Sequence, residues 1–177
     1  MTTVIEKQKN TFDTLKSDHG YTSSMQTPTI EKIVVNVGVG STTDKKRITM
    51  IGQKLAKITG QKPVECMAKT SIATFKLREG TMIGYKTTLR GARMWSFLEK
   101  LLSVALPRTR DFRGIKVTAI DAMGNYSLGI KDNTIFPETA DEDVRDIFGM
   151  SITIVTTSIS KEESRAYLTH LGFPFVK

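Results

Sequence analysis

A segment rich in arginine, residues 107–114, carries the side chains best suited to binding a polyanion in this 177-residue sequence. It places Arg108, Arg110 and Arg113 around a single phenylalanine. Guanidinium groups form bidentate hydrogen bonds with phosphate and stack on bases, so this composition favours contact with RNA. The alternative is a solvated loop in which Asp111 pairs with one of the arginines.

The positive charge of the chain is concentrated in its middle. Residues 45–116 contain 17 lysines and arginines against 4 aspartates and glutamates, whereas residues 1–44 and 117–177 are mildly acidic and the formal net charge is +8. A basic region flanked by acidic ends predicts a polyanionic partner on one surface, and nucleic acid is the common one because each neutralised phosphate releases a counterion.

Two glycines, Gly38 and Gly40, separate a predicted strand from a predicted helix. A dinucleotide-binding turn would need a third glycine or alanine where this chain has Thr43, so that interpretation is weak. Either the glycines only permit a tight turn, or the turn and helix start contact an RNA phosphate. Lys45 and Lys46 favour phosphate contact, because their charges oppose the helix dipole in the first turn.

Residues that would carry catalysis or bind a metal are sparse. Cys66 is the only cysteine, and His19 and His170 lie far apart without a metal-binding or nucleophilic pattern. We therefore expect no enzyme activity, no catalytic residue, no metal and no cofactor. The chain has no apolar run of the roughly 18 residues that a membrane helix requires, which predicts a cytoplasmic protein without a membrane partner.

The spacing of apolar residues predicts an α+β fold, with a mostly antiparallel sheet and helices packed on one of its faces. The predicted strands are 30–37, 64–67, 85–90, 115–120, 126–131 and 152–157, and the predicted helices are 1–19, 48–58, 94–102, 141–148 and 160–171. Ser41, Thr42 and Thr43 are the candidate N-caps of the second helix. The length fits one domain, 1–177.

Alternation along three of these strands predicts a polar, basic sheet face. The residues predicted to point away from the core are Asn36, Lys86, Thr88, Arg90 and Lys131. Such a face is a plausible platform for RNA.

A long segment, 68–84, has no clean periodicity and is predicted to form a projecting loop. It is basic, with Lys76 and Arg78 opposed by Glu79, and indicates a mobile arm that orders on nucleic acid. An irregular surface loop of ordinary charge is the alternative. The acidic segment 138–146 lacks calcium-loop spacing; it either complements a helix dipole or faces a basic protein.

Several blocks of sequence, in one order, resemble the bacterial-type large ribosomal subunit protein five. They are Asn36-Val37-Gly38-Val39-Gly40, "ITGQKP" (58–63), "SIATFKLREG" (71–80), "IGYKTTLRG" (83–91), "LPRTRDFRG" (106–114), "GNYSLGIK" (124–131) and "FPF" (173–175). The resemblance runs from about residue 28 to the C-terminus.

The resemblance implies a single RNA-binding domain that binds 5S rRNA and helps to anchor it in the central protuberance of the large subunit. Large-subunit rRNA, peptidyl-site tRNA and neighbouring ribosomal proteins, including one in the small-subunit head, are the implied partners. The implied 5S-facing residues are Asn36, Gln61, Thr88 and Arg90, and the implied tRNA-contact loop comprises Lys76, Leu77, Arg78, Glu79, Gly80 and Thr81.

Two other functions compete with this interpretation. An enzyme using the Gly38–Gly40 turn would need a catalytic set that the sequence does not offer. An RNA chaperone outside the ribosome would share the basic platform, and sedimentation with large subunits would distinguish the two.

Overall fold

The computed structural model describes residues 3–40, 44–110, 112–140 and 147–176. Its helices are α1 (Val4–Lys9), α2 (Thr11–His19), α3 (Lys45–Thr59), α4 (Gly91–Lys100) and α5 (Lys161–Leu171). Its strands are β1 (Ile30–Gly38), β2 (Val64–Met67), β3 (Met82–Leu89), β4 (Tyr126–Ile130) and β5 (Met150–Thr156). The strands form an antiparallel sheet in the order β2-β3-β1-β5-β4, so the predicted α+β class is confirmed.

The strand predicted at 115–120 is wrong. Val117–Ala119 forms a single 3-10 turn, and only isolated bridges, Ile115 with Phe175 and Ile120 with Tyr126, tie this segment to other chain segments. Alternating apolar residues produced the prediction, but a strand also needs a partner edge along its length.

Two predicted helices have different boundaries. α4 begins earlier than predicted, at Gly91, and its last turn widens into a π-helical turn, Leu101–Ala105, before Pro107. The helix predicted at 141–148 falls mostly outside the described residues. The described residues before it form two single 3-10 turns, Asn133–Ile135 and Pro137–Thr139.

The chain divides into two compact units. The first comprises Met1–Ile33, Arg90–Leu128 and Thr153–Lys177; the second comprises Val34–Leu89 and Gly129–Ile152. The single domain predicted from length stays a prediction.

Hydrogen bonds between α1 and α5 hold the N-terminus of the first unit in place. The Lys7 ammonium donates to the Leu171 carbonyl over 3.2 Å, and Nε2 of His170 lies 2.8 Å from the Lys7 carbonyl oxygen. Beneath them, Tyr167 is fully buried and its hydroxyl donates to the Gln8 side chain. The polar N-terminal helix is therefore fixed by specific partners as well as by apolar burial.

In the second unit α3 packs on the face of β3 that carries Tyr85. A Cβ on Gly52 would lie 2.6 Å from the Tyr85 ring, so only glycine lets the ring approach the helix this closely. Leu55 and Ile58 on the same helix are buried. Gly60 ends the helix in the left-handed conformation, at φ 67°.

Candidate nucleic-acid interface

One face of β1 and β3 in the second unit is polar and exposed, as predicted from alternation. Asn36 is exposed between Val35 and Val37, both fully buried. On β3, Lys86 is exposed and Thr88 is half-buried, while their strand neighbours point into the core. A period of two residues places these polar side chains on the face opposite α3.

Gln61 lies against this strand through a specific hydrogen bond. Its side-chain Nε2 donates to the Thr88 carbonyl over 3.3 Å. The left-handed Gly60 turns the chain out of α3 immediately before Gln61, and Thr59 Oγ1 donates to the Gln61 carbonyl over 3.1 Å. The structure thus brings Gln61 and Thr88 together, which their separation of 27 residues did not reveal.

The edge strand β2 adds two residues to this face that sequence reasoning missed. Val64 pairs with Lys86, and Cys66 pairs with Gly84. Directly opposite residues of antiparallel strands share a face, so Val64, 64% exposed, extends the polar face with an apolar edge. Pairing of β2 with β3 was the missing information, because register cannot be read from either strand alone.

Arg90, in the first unit, is already engaged by a carboxylate. Its Nη1 lies 3.0 Å from Oε1 of Glu31, and Nζ of Lys32 lies 3.4 Å from the same oxygen. The hydrogen bond from Arg90, followed by the nearby charge of Lys32, lowers the pKa of Glu31. All three groups are solvent-accessible, so the pair is open to exchange with phosphate.

The N-cap of α3 is Asp44, and not one of the three residues predicted. The Asp44 carboxylate accepts from the Lys46 backbone N–H over 2.9 Å, whereas Ser41, Thr42 and Thr43 lie outside the described residues. Lys45 and Lys46 are exposed beside this cap. The carboxylate occupies one of the backbone donors that a phosphate would use and adds a negative charge beside the others, so contact with RNA here would rest on the lysine ammonium groups.

The Gly38–Gly40 turn is tied to β3. The backbone N–H of Val39 donates to the Ile83 carbonyl over 2.9 Å. Neither glycine has a positive φ, which fits the interpretation of a simple turn better than that of a phosphate-binding loop.

The segment predicted to form a projecting loop, 68–84, is hydrogen-bonded internally as far as Thr81 and enters β3 at Met82. The mobile arm stays a prediction. Backbone bonds join Ile72 and Leu77 in both directions, at 3.0 and 3.1 Å, around a 3-10 turn. Lys76 closes that turn with φ 52°, a left-handed conformation unusual outside glycine. Ser71 Oγ accepts from the Glu79 N–H over 2.9 Å.

The predicted tRNA-contact residues all lie in this hairpin-like loop or at its base. Five of them are exposed and Leu77 is half-buried; the exposed ones are Lys76, Arg78, Glu79, Gly80 and Thr81. The loop therefore presents its charges on a preformed backbone.

The arginine-rich segment lies in the first unit with its three guanidinium groups exposed. Arg108, Arg110 and Arg113 all have solvent-accessible side chains. After them the chain is fixed by the Ile115 N–H, which donates to the Pro174 carbonyl over 2.8 Å. Asp111, the alternative partner, lies outside the described residues.

Within the described ranges, no group of three or more His, Cys, Asp or Glu side chains could hold a metal ion, and no helix is long and apolar enough to cross a membrane. The ring of His19 stacks on that of Tyr21 with 5.7 Å between the ring centroids, and Nε2 of His170 lies within hydrogen-bond distance of the Lys7 carbonyl oxygen. Both histidines thus have packing partners in the first unit.

Two family profiles cover most of the chain. Residues 23–78 match Ribosomal protein L5, and residues 82–175 match the C-terminus of the same ribosomal protein family.

Individual proteins are similar over nearly the full length. The large ribosomal subunit protein uL5 of Acholeplasma laidlawii is 54% identical over 164 residues, which cover 92% of this chain and 91% of that protein. That of Ureaplasma parvum is 51% identical over 92% of this chain and 89% of its own length. That of Ligilactobacillus salivarius is 49% identical over 98% of this chain and 100% of its own.

Proposed function

Because the chain belongs to the ribosomal protein L5 family, a family of structural, non-enzymatic proteins, we propose that it acts in the large ribosomal subunit of the bacterial cytoplasm by binding 5S rRNA and anchoring it in the central protuberance. The observation that carries this proposal is the exposed polar face of β1 and β3, with Asn36, Lys86 and Thr88 projecting from a rigid sheet. Side chains on strands hold fixed positions, which suits recognition of a folded RNA.

The polar face combines two kinds of group that bind RNA, an ammonium group and side-chain amides. Lys86 supplies a charge for phosphate, and the Asn36 amide both donates and accepts hydrogen bonds. Gln61 is held against β3 by its bond to the Thr88 carbonyl, so its position is fixed before RNA arrives. The sheet face would therefore recognise the shape of 5S rRNA by hydrogen bonds, with affinity added by lysine.

Basic groups elsewhere would contact phosphates of 5S rRNA or of the large-subunit rRNA. These are Lys45 and Lys46 at the start of α3, Arg90 after β3, and Arg108, Arg110 and Arg113 in the arginine-rich segment. Their exposure supports this role, since a charge must reach the phosphate to release counterions.

The loop 76–81 would contact tRNA in the peptidyl site. Its internal hydrogen bonds support this role, because a preformed backbone loses less conformational entropy on binding than a disordered arm. Lys76 and Arg78 are the charges that it presents.

The acidic segment 138–146 would face a basic protein neighbour, and the chain would also contact a protein of the small-subunit head, forming a bridge between subunits. Glu138, the described acidic residue of this segment, is exposed after a proline. Charge complementarity with a basic neighbour is the physical basis of this assignment.

Capture of 5S rRNA by the purified chain tests the central proposal. Immobilised protein should retain 5S rRNA from total RNA at moderate salt, and Asn36→Ala with Lys86→Gln should reduce retention. Lys57→Gln, an exposed lysine farther along α3, is the matched control and should bind normally. Equal retention by the wild type and the double variant, with the fold intact, would remove the sheet face from the interface.

Substitution of the loop charges tests the tRNA contact separately. Lysine and glutamine pay a similar conformational free energy for the left-handed backbone at φ 52°, so Lys76→Gln removes only the charge. With Arg78→Gln it should leave 5S rRNA binding unchanged and weaken cross-linking of reconstituted subunits to peptidyl-site tRNA. Loss of 5S rRNA binding would contradict this division of labour.

A further inference from the structure

A groove of about 550 Å³ lies in the second unit, on the side of the sheet opposite the polar face. One wall is the first turns of α3, with Lys45, Ile48 and Thr49, and the other is the hairpin-like loop, with Phe75 and Leu77. Grooves of this volume accommodate small ligands or single nucleotides. The groove shares Lys76, Leu77 and Thr81 with the proposed tRNA-contact loop and shares no residue with the polar sheet face.

The floor of the groove is rigid and carries one carboxylate. Glu65 on β2 pairs with Tyr85 on β3, so their side chains share the face that lines the groove. The Tyr85 ring is fixed against Gly52 of α3. Burial, and secondarily the negative charge of Glu65, raises the pKa of the Tyr85 hydroxyl, which therefore remains a donor.

The rim of the groove is cationic and aromatic. Lys45 lines the groove from the start of α3, and Lys76 lines it from the hairpin-like loop. The Phe75 side chain is 76% exposed, although phenylalanine is usually buried. An aromatic face held open to solvent beside two cations is the arrangement on which bases stack while phosphates pair with lysine.

We propose that this groove binds one unpaired nucleotide of RNA whose base carries an amino group. The phosphate would lie between Lys45 and Lys76, the base would stack on Phe75, and its amino group would donate to Glu65. The carboxylate disfavours a bare anion and disfavours uracil, whose single N3–H donor is flanked by two carbonyl oxygens; adenine, cytosine and guanine each offer an exocyclic amino donor.

This proposal rests on the proposed RNA-binding function and extends it to a second face of the same unit. An unpaired nucleotide of 5S rRNA and one of tRNA have the same chemistry; because Lys76 belongs to the loop proposed to contact tRNA, we expect tRNA to supply the nucleotide. The Phe75 and Glu65 positions distinguish this site from the sheet face, because neither side chain lies on the side of Asn36 and Lys86.

Nuclear magnetic resonance with single-stranded tetranucleotides tests the groove directly. The backbone amides of Phe75, Leu77 and Thr81 should shift on titration with oligo(A), oligo(C) or oligo(G), and oligo(U) should bind about tenfold more weakly. Phe75→Ala should weaken all four by about tenfold through lost stacking. Glu65→Gln, whose amide both donates and accepts, should abolish the discrimination against uridine.

Matched variants separate the groove from general charge effects. Glu162→Gln, an exposed carboxylate on α5, should keep the discrimination against uridine, and Lys57→Gln should keep the affinity. If Glu65→Gln retains the wild-type preference, or if no oligonucleotide shifts the groove amides, the proposal is overturned. If an unstructured apolar peptide shifts the groove amides and none of the RNAs does, the groove binds protein and the proposal is also overturned.

Titration with intact RNAs identifies the source of the nucleotide. Groove shifts with 5S rRNA or with tRNA support the proposal and assign its ligand; shifts with neither contradict it. The wild type's retention of 5S rRNA in the capture experiment is scored separately. If the chain retains 5S rRNA but no RNA shifts the groove amides, only the nucleotide site is refuted. If the chain retains no 5S rRNA, the proposed function is refuted.

Discussion

At the scale of single residues, the availability of a cationic side chain for RNA depends on whether a group of the protein already binds it. Arg90 is exposed, yet Glu31 holds its guanidinium at 3.0 Å and Lys32 shares the same carboxylate oxygen. Arg47 sits in the basic first turn of α3, yet its Nη2 donates to the Ile147 carbonyl over 3.3 Å. Lys45, Lys46 and Lys86 are the exposed cations that we expect to reach RNA first.

Glu31→Gln should strengthen 5S rRNA binding by about two- to fivefold, because it frees Arg90 from an exposed ion pair of modest strength. Fluorescence anisotropy at fixed salt measures the change, and Glu162→Gln is the control. An unchanged Kd would show that Arg90 and Glu31 lie outside the interface.

Acid weakens the same ion pair. The pKa of the Glu31 carboxyl is lowered in the folded chain, so the pair's contribution is present above the usual carboxyl pKa and is lost as the pH falls through the lowered value. At neutral pH the ion pair with Glu31 therefore holds Arg90. The 5S rRNA binding titrations that compare Glu31→Gln with the wild type are best run at that pH.

Tyr21→Phe should destabilise the fold by about 1–3 kcal/mol. The Tyr21 hydroxyl donates to Oε1 of Glu163, which is only 8% exposed, and Oε2 of the same carboxylate accepts from the Ile159 N–H over 2.7 Å. Removing one donor leaves a buried carboxylate partly unsatisfied. Urea denaturation measures the loss; a free energy of unfolding equal to that of the wild type would contradict it.

At the scale of elements, the polar face depends on how closely its strands approach. Gly84 lies where a Cβ would come within 2.6 Å of the Val37 carbonyl oxygen. No side chain fits between these strands at that point, so a glycine there is a condition of the pairing that positions Lys86 and Asn36.

Gly84→Ala should destabilise the chain by about 1–3 kcal/mol or more, because the clash is with backbone that cannot rotate away. Gly129→Ala in β4 is the control, since nothing lies within 4 Å of its added Cβ. Thermal denaturation of both variants checks the contrast. If Gly84→Ala and Gly129→Ala melted at the same temperature, β1 and β3 could move apart to accept the added methyl group without loss of stability, which would contradict the prediction.

Local periodicity predicted the elements well where each element is defined by its own sequence. Alternation placed Lys86 and Thr88 away from the core correctly, because Thr87 and Leu89 beside them are buried, and the helix predicted at 48–58 lies within α3. The helix predicted at 160–171 matches α5, which Ser160 caps by accepting from the Glu163 N–H over 3.2 Å.

The remaining features depend on partners distant in sequence. The bond from Gln61 to Thr88, the ion pair of Arg90 with Glu31, and the pairing of Val64 with Lys86 join residues that no local pattern connects. The segment 115–120 alternates like a strand and yet forms only isolated bridges. Register, ion pairing and groove shape are therefore properties of the folded chain that no local window of sequence contains.

At the scale of the whole molecule, buried tyrosines make stability sensitive to alkali. Burial raises the pKa of Tyr126 to about 12 and also raises the pKa of Tyr167. A raised tyrosine pKa means that the folded chain keeps protons that the unfolded chain has lost. Stability is thus fully present below about pH 10 and falls as the pH rises above it.

The melting temperature should therefore fall as the pH is raised from 8 to 11. The melting temperature of Tyr126→Phe should fall less steeply than that of the wild type, because one titrating group is gone. Lysine deprotonation affects both proteins equally. Parallel curves would show that Tyr126 does not contribute to the pH dependence.

The distribution of charge over the whole chain sets how RNA binding should respond to salt. With a net charge of +8 and a basic middle, the chain should bind 5S rRNA with an affinity whose logarithm falls linearly with the logarithm of the salt concentration. Each lost phosphate contact should reduce the slope by about one.

The most direct test of RNA binding by the sheet face is this salt series, run on the wild type, Lys86→Gln and Lys57→Gln. We predict a steep slope for the wild type, a slope reduced by about one for Lys86→Gln, and a wild-type slope for Lys57→Gln. An affinity for 5S rRNA that does not change with salt, or an equal slope for the wild type and Lys86→Gln, would contradict the assignment of the β1–β3 face as the RNA-binding surface.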